Sequence, residues 1–332
     1  MVGDGGPPGA RGGRLQLRLG PRRHPAGRSR GRPGAVPVPG GGTRGLARLG
    51  TARNSTARLG TGGMALGFNL SALPPLREYE VERSFDEREA LGWMRDNWQK
   101  SFFFSAAYVM LIFGTQHFMK ERRGYKLRAP LTLWSLGLAL FSAIGSHRTW
   151  KHMASIASSM GFKQSVCDQS FYVHHISKFW AYLFALSKVL ELGDTVFIVL
   201  RKQKLIFLHW YHHIATLIYA WYAYKEMVPG GGWFTVMNFS VHTFMYSYYS
   251  VRAAGFRVPR YIAMTITVSQ ILQMLIALIV NVLLVFWMED KVCPVTWSNI
   301  SISFLMYFSY LVLFCNFFFK AYLTGTQKSK GE

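Results

Sequence analysis

The chain has 332 residues, of which 50% are hydrophobic and 15% aromatic, with only 16% charged and a formal net charge of +22. That apolar excess argues against an ordinary soluble domain and suits a polytopic membrane protein. The positive charge is not a nucleic-acid signature: half of it lies in the first 63 residues, and the rest gathers between apolar segments.

Residues 1–63 hold twelve Arg against one acid, Asp4, with abundant Gly and Pro and no Lys, Phe, Tyr or Trp. Such a stretch cannot bury a core and reads as a disordered extension. No aromatic ring interleaves with its arginines, which speaks against an RNA-binding arm, and no apolar run follows promptly enough for a cleavable signal peptide. Ordinary composition begins at Met64, so residues 64–100 form a segment ahead of the first apolar span. Within it Asn69, in NLS, is a plausible glycosylation acceptor, whereas the NFS at 238–240 falls inside a span.

Seven apolar stretches of spanning length follow, at about 101–119, 130–150, 178–200, 205–224, 233–251, 261–288 and 297–319. They predict an all-α, seven-helix membrane domain over 101–322, ending in a short tail at 323–332. The third and fourth spans are separated only by RKQK at 201–204, which predicts a tight helical hairpin. One set of loops (120–128, 201–204, 252–260 and the tail from Lys320) carries fourteen Lys and Arg, and the opposite set (151–177, 225–232 and 289–296) carries four. The asymmetry places the first set and the C-terminus in the cytosol and the N-terminus in the lumen. Cys167 and Cys293 then both fall in lumenal loops, where an oxidising compartment lets them pair. Cys315 lies within the last span. The tail ends KSKGE, with Lys328 and Lys330 spaced like a dilysine retrieval signal for the endoplasmic reticulum.

Polar residues inside membrane spans are costly, and each points to function. Four clusters stand out. KVLELGDT gives Lys188, Glu191 and Asp194 on one helical face, and LHWYHH gives His209, His212 and His213. NFSVHTFMYSYY gives Asn238, His242, Tyr246 and Tyr249, and TVSQILQ gives Thr267, Gln270 and Gln273. Counted from the nearest cytosolic cation at ~1.5 Å per residue, Asp194, Glu191, His212, His242 and Gln270 all fall about 10–15 Å deep. Four antiparallel spans thus set their polar groups in one layer, which predicts one buried site. The bland alternatives are a Lys188–Glu191 ion pair that only ties helices together and tyrosines that only form an interfacial belt.

Histidines at this spacing with nearby carboxylates suit a metal, but a di-metal oxygenase of the desaturase type wants about eight histidines, and the layer holds four. His117, His174 and His175 fall elsewhere. Acyl chemistry fits the residue types better. No cysteine shares the layer, whereas a neutral imidazole is a nucleophile and an acyl-imidazole a good acyl donor. The other histidine, with Asn238 or Gln270, can polarise a malonyl thioester carbonyl, and Asp194 or Glu191 can fix the histidine tautomers. A membrane oxygenase and a seven-helix receptor or transporter remain the rival readings.

At these motifs the sequence resembles the very-long-chain fatty-acid elongase family, the membrane 3-oxoacyl-CoA synthases. The resemblance covers about residues 64–332. The family's KxxExxDT is met by Lys188, Glu191, Asp194 and Thr195, and HxxHH by His209, His212 and His213. NxxxHxxMYxYY is met by Asn238, His242, Met245, Tyr246, Tyr248 and Tyr249, and TxxQxxQ by Thr267, Gln270 and Gln273. HWYHH, GFKQSVCDQ, SKFWAY, PGGGWFTVMN and MYSYYSVRAAGFR look most like the type-six branch, with type three the near alternative.

The resemblance implies condensation of acyl-CoA with malonyl-CoA, with loss of carbon dioxide and CoA and without a bound cofactor. It favours acyl chains of about palmitate length, saturated or monounsaturated. It implies six helices in an α-barrel around an acyl tunnel closed at the lumenal end, His212 carrying the acyl group with His242 as partner, and a Cys167–Cys293 disulfide. Tyr246, Tyr249, Gln270 and Gln273 would meet substrate, and Lys or Arg of the cytosolic loops the CoA phosphates, with Lys204, Arg252 and Arg257 as candidates by their position alone. Expected partners are the bilayer, the 3-oxoacyl-CoA reductase, 3-hydroxyacyl-CoA dehydratase and enoyl-CoA reductase of the elongation cycle, and a second copy in a homodimer.

Overall fold

The computed structural model describes residues 77–289 and 293–324. The predicted extension 1–63, Asn69 and the tail lysines Lys328 and Lys330 lie outside the described residues. Among those described, every regular element is helical: α1 (Glu80–Arg83), α2 (Glu87–Asn97), α3 (Lys100–Phe118), α4 (Arg128–Cys167), α5 (Ser177–Glu191), α6 (Gly193–Leu200), α7 (Phe207–Glu226), α8 (Gly231–Ala253), α9 (Arg260–Trp287) and α10 (Trp297–Phe318). Three are long and apolar enough to cross a membrane: α4, α9, and α10 with its continuation to Leu323. In α5 to α8 polar side chains interrupt the apolar runs.

Two expected boundaries differ. Residues 151–167, expected in a loop, continue α4 to a length of 40 residues. KHMASIASSM contains no proline to stop it, and the helical backbone is interrupted by a kink only at Gly161, whose φ of +85° suits glycine alone, before it resumes to Cys167. The expected span 178–200 divides at Leu192. There the bonds Leu192 N to Val189 O and Thr195 N to Leu192 O, both 3.3 Å, run to the third residue back and tighten one turn between α5 and α6.

The longest shared face is that of α4 with α8; α8 also packs on α9, α9 on α10, α10 on α7, α7 on α5, and α5 on α4. Helix α3 packs on α6 and α7. A lipid-facing apolar side chain loses little by staying in lipid, so close packing and interhelical hydrogen bonds hold such helices, each bond contributing about 0.6 kcal/mol. Ser146 and Ser240 share one between α4 and α8 at 2.9 Å, and Tyr211–Ser309 (2.9 Å) and Thr216–Tyr310 (2.8 Å) tie α7 to α10. Leu217, Val236 and Ala277 are fully buried among them.

One end of the bundle is fastened by the Cys167–Cys293 disulfide, with Cα atoms 4.6 Å apart. Helices α1 and α2 dock by way of Glu82, which is wholly buried. Its carboxylate accepts from both Nε (2.8 Å) and Nη2 of Arg148, from Trp180 Nε1 (2.7 Å) and from the Tyr79 amide (2.8 Å). Burial pushes this carboxyl up, yet those donors together hold it below the usual carboxylate range. Asp86 caps α2 by accepting from the Arg88 and Glu89 amides. Lys178 reaches Glu87 at 2.8 Å.

Candidate active site

Three of the four polar clusters are positioned by a few close approaches. Gly193 lies under Trp134 of α4, where a Cβ would stand 2.7 Å from the indole Cζ2. This lets Trp134 Nε1 donate to Asp194 Oδ1 at 2.7 Å, while the Tyr246 hydroxyl donates to Asp194 Oδ2 at 2.7 Å. Asp194 is therefore fixed by an indole and a phenol. Of the two carboxylates expected to fix a histidine tautomer, Asp194 or Glu191, Asp194 meets no histidine among the described residues.

Lys188, Glu191, Asn238 and His242 form a ring across α5 and α8. Lys188 Nζ donates to Glu191 Oε1 at 2.7 Å and to Asn238 Oδ1 at 3.0 Å. Asn238 Nδ2 lies 3.3 Å from His242 Nε2, and His242 Nδ1 stands 3.9 Å from Glu191 Oε1. Ser187 adds a bond to the same carboxylate oxygen at 3.1 Å. The Lys188–Glu191 pair is buried within α5, three residues apart, and joins α8 through Asn238.

On α7, His209 Nε2 is 2.9 Å from Thr195 Oγ1, which is itself 2.6 Å from the hydroxyl of Tyr108 on α3. The His213 ring packs against His209 with centroids 4.5 Å apart. The His212 ring lies against Tyr310 (4.9 Å) and Phe314 (6.2 Å), and Tyr310 also donates to the His212 carbonyl at 3.1 Å.

These groups face one chamber of about 310 Å³, lined by Glu191, Asp194, His209, His212, His213, Asn238, His242, Tyr246, Tyr249, Gln270 and Gln273, with Phe314, Phe317 and Tyr322 from the last helix and its end. A second, narrow and largely apolar space of about 60 Å³ runs on toward Tyr172, Tyr219, Tyr224 and Tyr307. His212, Asn238, Gln273 and Met274 line both spaces. Tyr246 is buried in the site rather than in an interfacial belt, while Tyr249 is 45% exposed at its edge.

Gln270 donates to Met245 Sδ at 3.3 Å. Lys204, Arg252 and Arg257 are exposed and do not line the chamber. His174 and His175 do not line the chamber; the His174 ring stacks on His152 with centroids 3.9 Å apart. Sequence reasoning missed Tyr108 and Trp134: each stands in an aromatic-rich apolar run, and nothing local sets it apart from a lipid-facing ring.

The arrangement offers nucleophilic imidazoles, a buried Lys188–Glu191 pair linked through Asn238 to His242, and a polar chamber opening into a narrow apolar one. Among the described residues no three His, Cys, Asp or Glu side chains converge as metal ligands do. Comparison with known proteins then decides the family. The GNS1/SUR4 (ELO) family matches residues 93–330.

The chain belongs to the GNS1/SUR4 family.

Among its curated ELO relatives, the chain is 59% identical over 261 residues to very long chain fatty acid elongase 6 of Homo sapiens, covering 79% of this chain and 98% of that protein. The elongase 6 of Gallus gallus is 58% identical over 262 residues, with the same coverage. Very long chain fatty acid elongase 3 of Homo sapiens is 44% identical over 252 residues, covering 76% of this chain and 92% of the relative. The apolar helices and ELO membership make the chain a membrane protein.

Proposed function

We propose that this ELO protein is a fatty-acid elongase, a 3-oxoacyl-CoA synthase, that condenses an acyl-CoA of about palmitate length, saturated or monounsaturated, with malonyl-CoA. The observation that carries this reading is the place of His212, whose side chain lines both the polar chamber and the narrow apolar space. A thioester lying across that junction puts its carbonyl at an imidazole and the first carbons of its hydrocarbon tail at the apolar space.

In the first half-reaction His212 attacks the acyl thioester carbonyl; the C–S bond breaks, and the CoA thiolate leaves and takes up a proton. The acyl group remains on the imidazole. Malonyl-CoA then loses carbon dioxide, and the resulting enolate carbon attacks the acyl-imidazole; the C–N bond breaks, 3-oxoacyl-CoA leaves, and the departing imidazole takes up a proton from water to regenerate His212. Asn238 donates to His242 Nε2, which leaves the ring hydrogen on Nδ1, 3.9 Å from Glu191, as the donor His242 can offer the malonyl thioester as its charge develops. Exposed Lys204, Arg252 and Arg257 lie on the basic loops, where CoA phosphates would be met. The order of helix contacts, α4–α8–α9–α10–α7–α5 and back to α4, supports a six-helix barrel around the two spaces, within seven spans. The charge bias of the loops supports a lumenal disulfide end, and the lysine tail an endoplasmic reticulum location. The 3-oxo product calls for reduction, dehydration and a second reduction by partner enzymes, and a homodimer is consistent with a lipid-exposed surface.

The test is intact mass after incubation with palmitoyl-CoA alone. One added palmitoyl group in the parent, absent in His212→Ala, supports the acyl-histidine. CoA release without an adduct, or an adduct that survives in His212→Ala, removes His212 as the nucleophile.

A further inference from the structure

His209 carries a hydrogen-bond relay that the acyl-transfer reading above does not use. Its Nε2 meets Thr195 Oγ1 at 2.9 Å, and Thr195 meets the Tyr108 hydroxyl at 2.6 Å. Thr195 is fully buried and Tyr108 nearly so. The direction of the relay follows from counting hydrogens. Among the described residues, the Tyr108 oxygen has Thr195 as its only hydrogen-bond partner, so the phenol hydrogen must point at Thr195 or be buried unpaired. A threonine oxygen that accepts from Tyr108 has its own hydrogen free to point at His209. Running the relay the other way would strand the phenol hydrogen in an apolar helix contact. Nε2 of His209 is thereby an acceptor, and the ring's one hydrogen sits on Nδ1.

The ring lines the chamber, and Nδ1 has no side-chain or backbone partner among the described residues. We infer that Tyr108 and Thr195 are positioning residues that lock His209 as the Nδ1–H tautomer, so that His209 is a catalytic hydrogen-bond donor to the carbonyl oxygen of a thioester bound in the chamber. A neutral N–H aimed at that oxygen stabilises the charge that gathers there during acyl transfer or decarboxylation, whereas the other tautomer would offer it only a lone pair. The assignment gives α3 a part in the chemistry through one phenol. It rests on the acyl-transfer reading for the identity of the ligand, but not on His212 as the nucleophile.

The test is a double-mutant cycle on the condensation rate with palmitoyl-CoA and malonyl-CoA, using purified full-length protein. His209→Asn keeps an N–H near the position of Nδ1, and His209→Gln moves it toward Nε2. The expected results are that Tyr108→Phe lowers kcat by about tenfold and moves KM for palmitoyl-CoA by less than about twofold, and that His209→Asn retains about tenfold more activity than His209→Gln. In the His209→Asn background Tyr108→Phe should cause no further loss, because an amide has no tautomer to set.

Losses that multiply in the double variant would mean that Tyr108 acts only on packing, and would overturn the proposal. So would a Tyr108→Phe enzyme at the parent rate. If Tyr108→Phe does not fold, Thr195→Ser against Thr195→Val makes the same comparison at the hydroxyl: serine should keep the rate and valine lose it, and equal rates overturn the proposal. The palmitoyl adduct is measured on the same samples. A parent without adduct sinks His212 as nucleophile and leaves the cycle at Tyr108 and His209 readable.

Discussion

The molecule buries two glutamates against a cation, and the two pairs do different work. Glu82 is saturated: two nitrogens of Arg148, the Trp180 indole and the Tyr79 amide fill its lone pairs, and none of these groups lines a cavity that holds the histidines. Glu191 has Lys188 and Ser187 on one oxygen, and the ring it anchors ends on His242 at the chamber wall. The first pair fixes where a helix docks. The second fixes a side chain that chemistry can use. Burial and charge are the same in both; what separates them is whether the network ends in a closed set of bonds or on a group facing open space.

The largest effect should come from the second pair. Lys188→Met leaves Glu191 buried without its cation and frees Asn238 to turn, so kcat should fall by about a hundredfold or more. Asn238→Leu strands no charge and isolates the orienting part; it should lower kcat with a far smaller change in melting temperature. If Asn238→Leu keeps the parent kcat, the ring does not orient His242 and the contrast with Glu82 fails.

Arg148→Met should do the opposite. It strands Glu82 and should cost about 3–5 kcal/mol of stability, read as a lowered thermal midpoint in detergent. Below that midpoint kcat should stay within about threefold of the parent, since Arg148 meets no chamber residue. Removing both charges with Glu82→Gln and Arg148→Met should recover most of the stability. A large kcat loss in the folded single variant would show that the docked helices feed the site after all.

Acid should reveal the same latch. The Glu82 carboxyl is held below its unfolded value, so its contribution is fully present above the unfolded pKa and is lost as pH falls through the folded one. Lowering the pH from about 5 to about 3 should therefore cost the parent more stability than the doubly substituted chain. Glu87 and Asp86 are also held down, so both chains should slope, and only the difference reports Glu82. Parallel curves would mean that Glu82 does not titrate with unfolding.

Much of this was legible in the sequence, and the rest was not, for a reason visible in particular residues. Helices α7 to α10 fall within about three residues of the apolar runs that predict them, because lipid demands long unbroken helices. The four polar motifs stood out because a charged or amide side chain in a membrane run has few bland explanations. What the sequence hid were partners far along the chain. Tyr108 finds Thr195 across 87 residues, Trp134 finds Asp194 across 60, and Arg148 finds Glu82 across 66. An aromatic ring or a single arginine near a span end carries no local mark of such a partner.

The smallest effect sharpens the comparison most. Lys178 and Glu87 sit at 2.8 Å, the same distance as Arg148 Nε from Glu82, and hold α2 to α5 as the other pair holds α1 to α4. Their side chains remain 13% and 30% exposed, against 3% and 0% for the buried pair. Water and salt can solvate either partner when the other is removed, so Lys178→Met should cost less than about 1 kcal/mol. That small loss should shrink further as salt is raised toward about 1 M. A cost near that of Arg148→Met would mean that contact distance decides the strength of these latches. The expected gap between the two variants, several-fold at equal bond length, assigns it to burial.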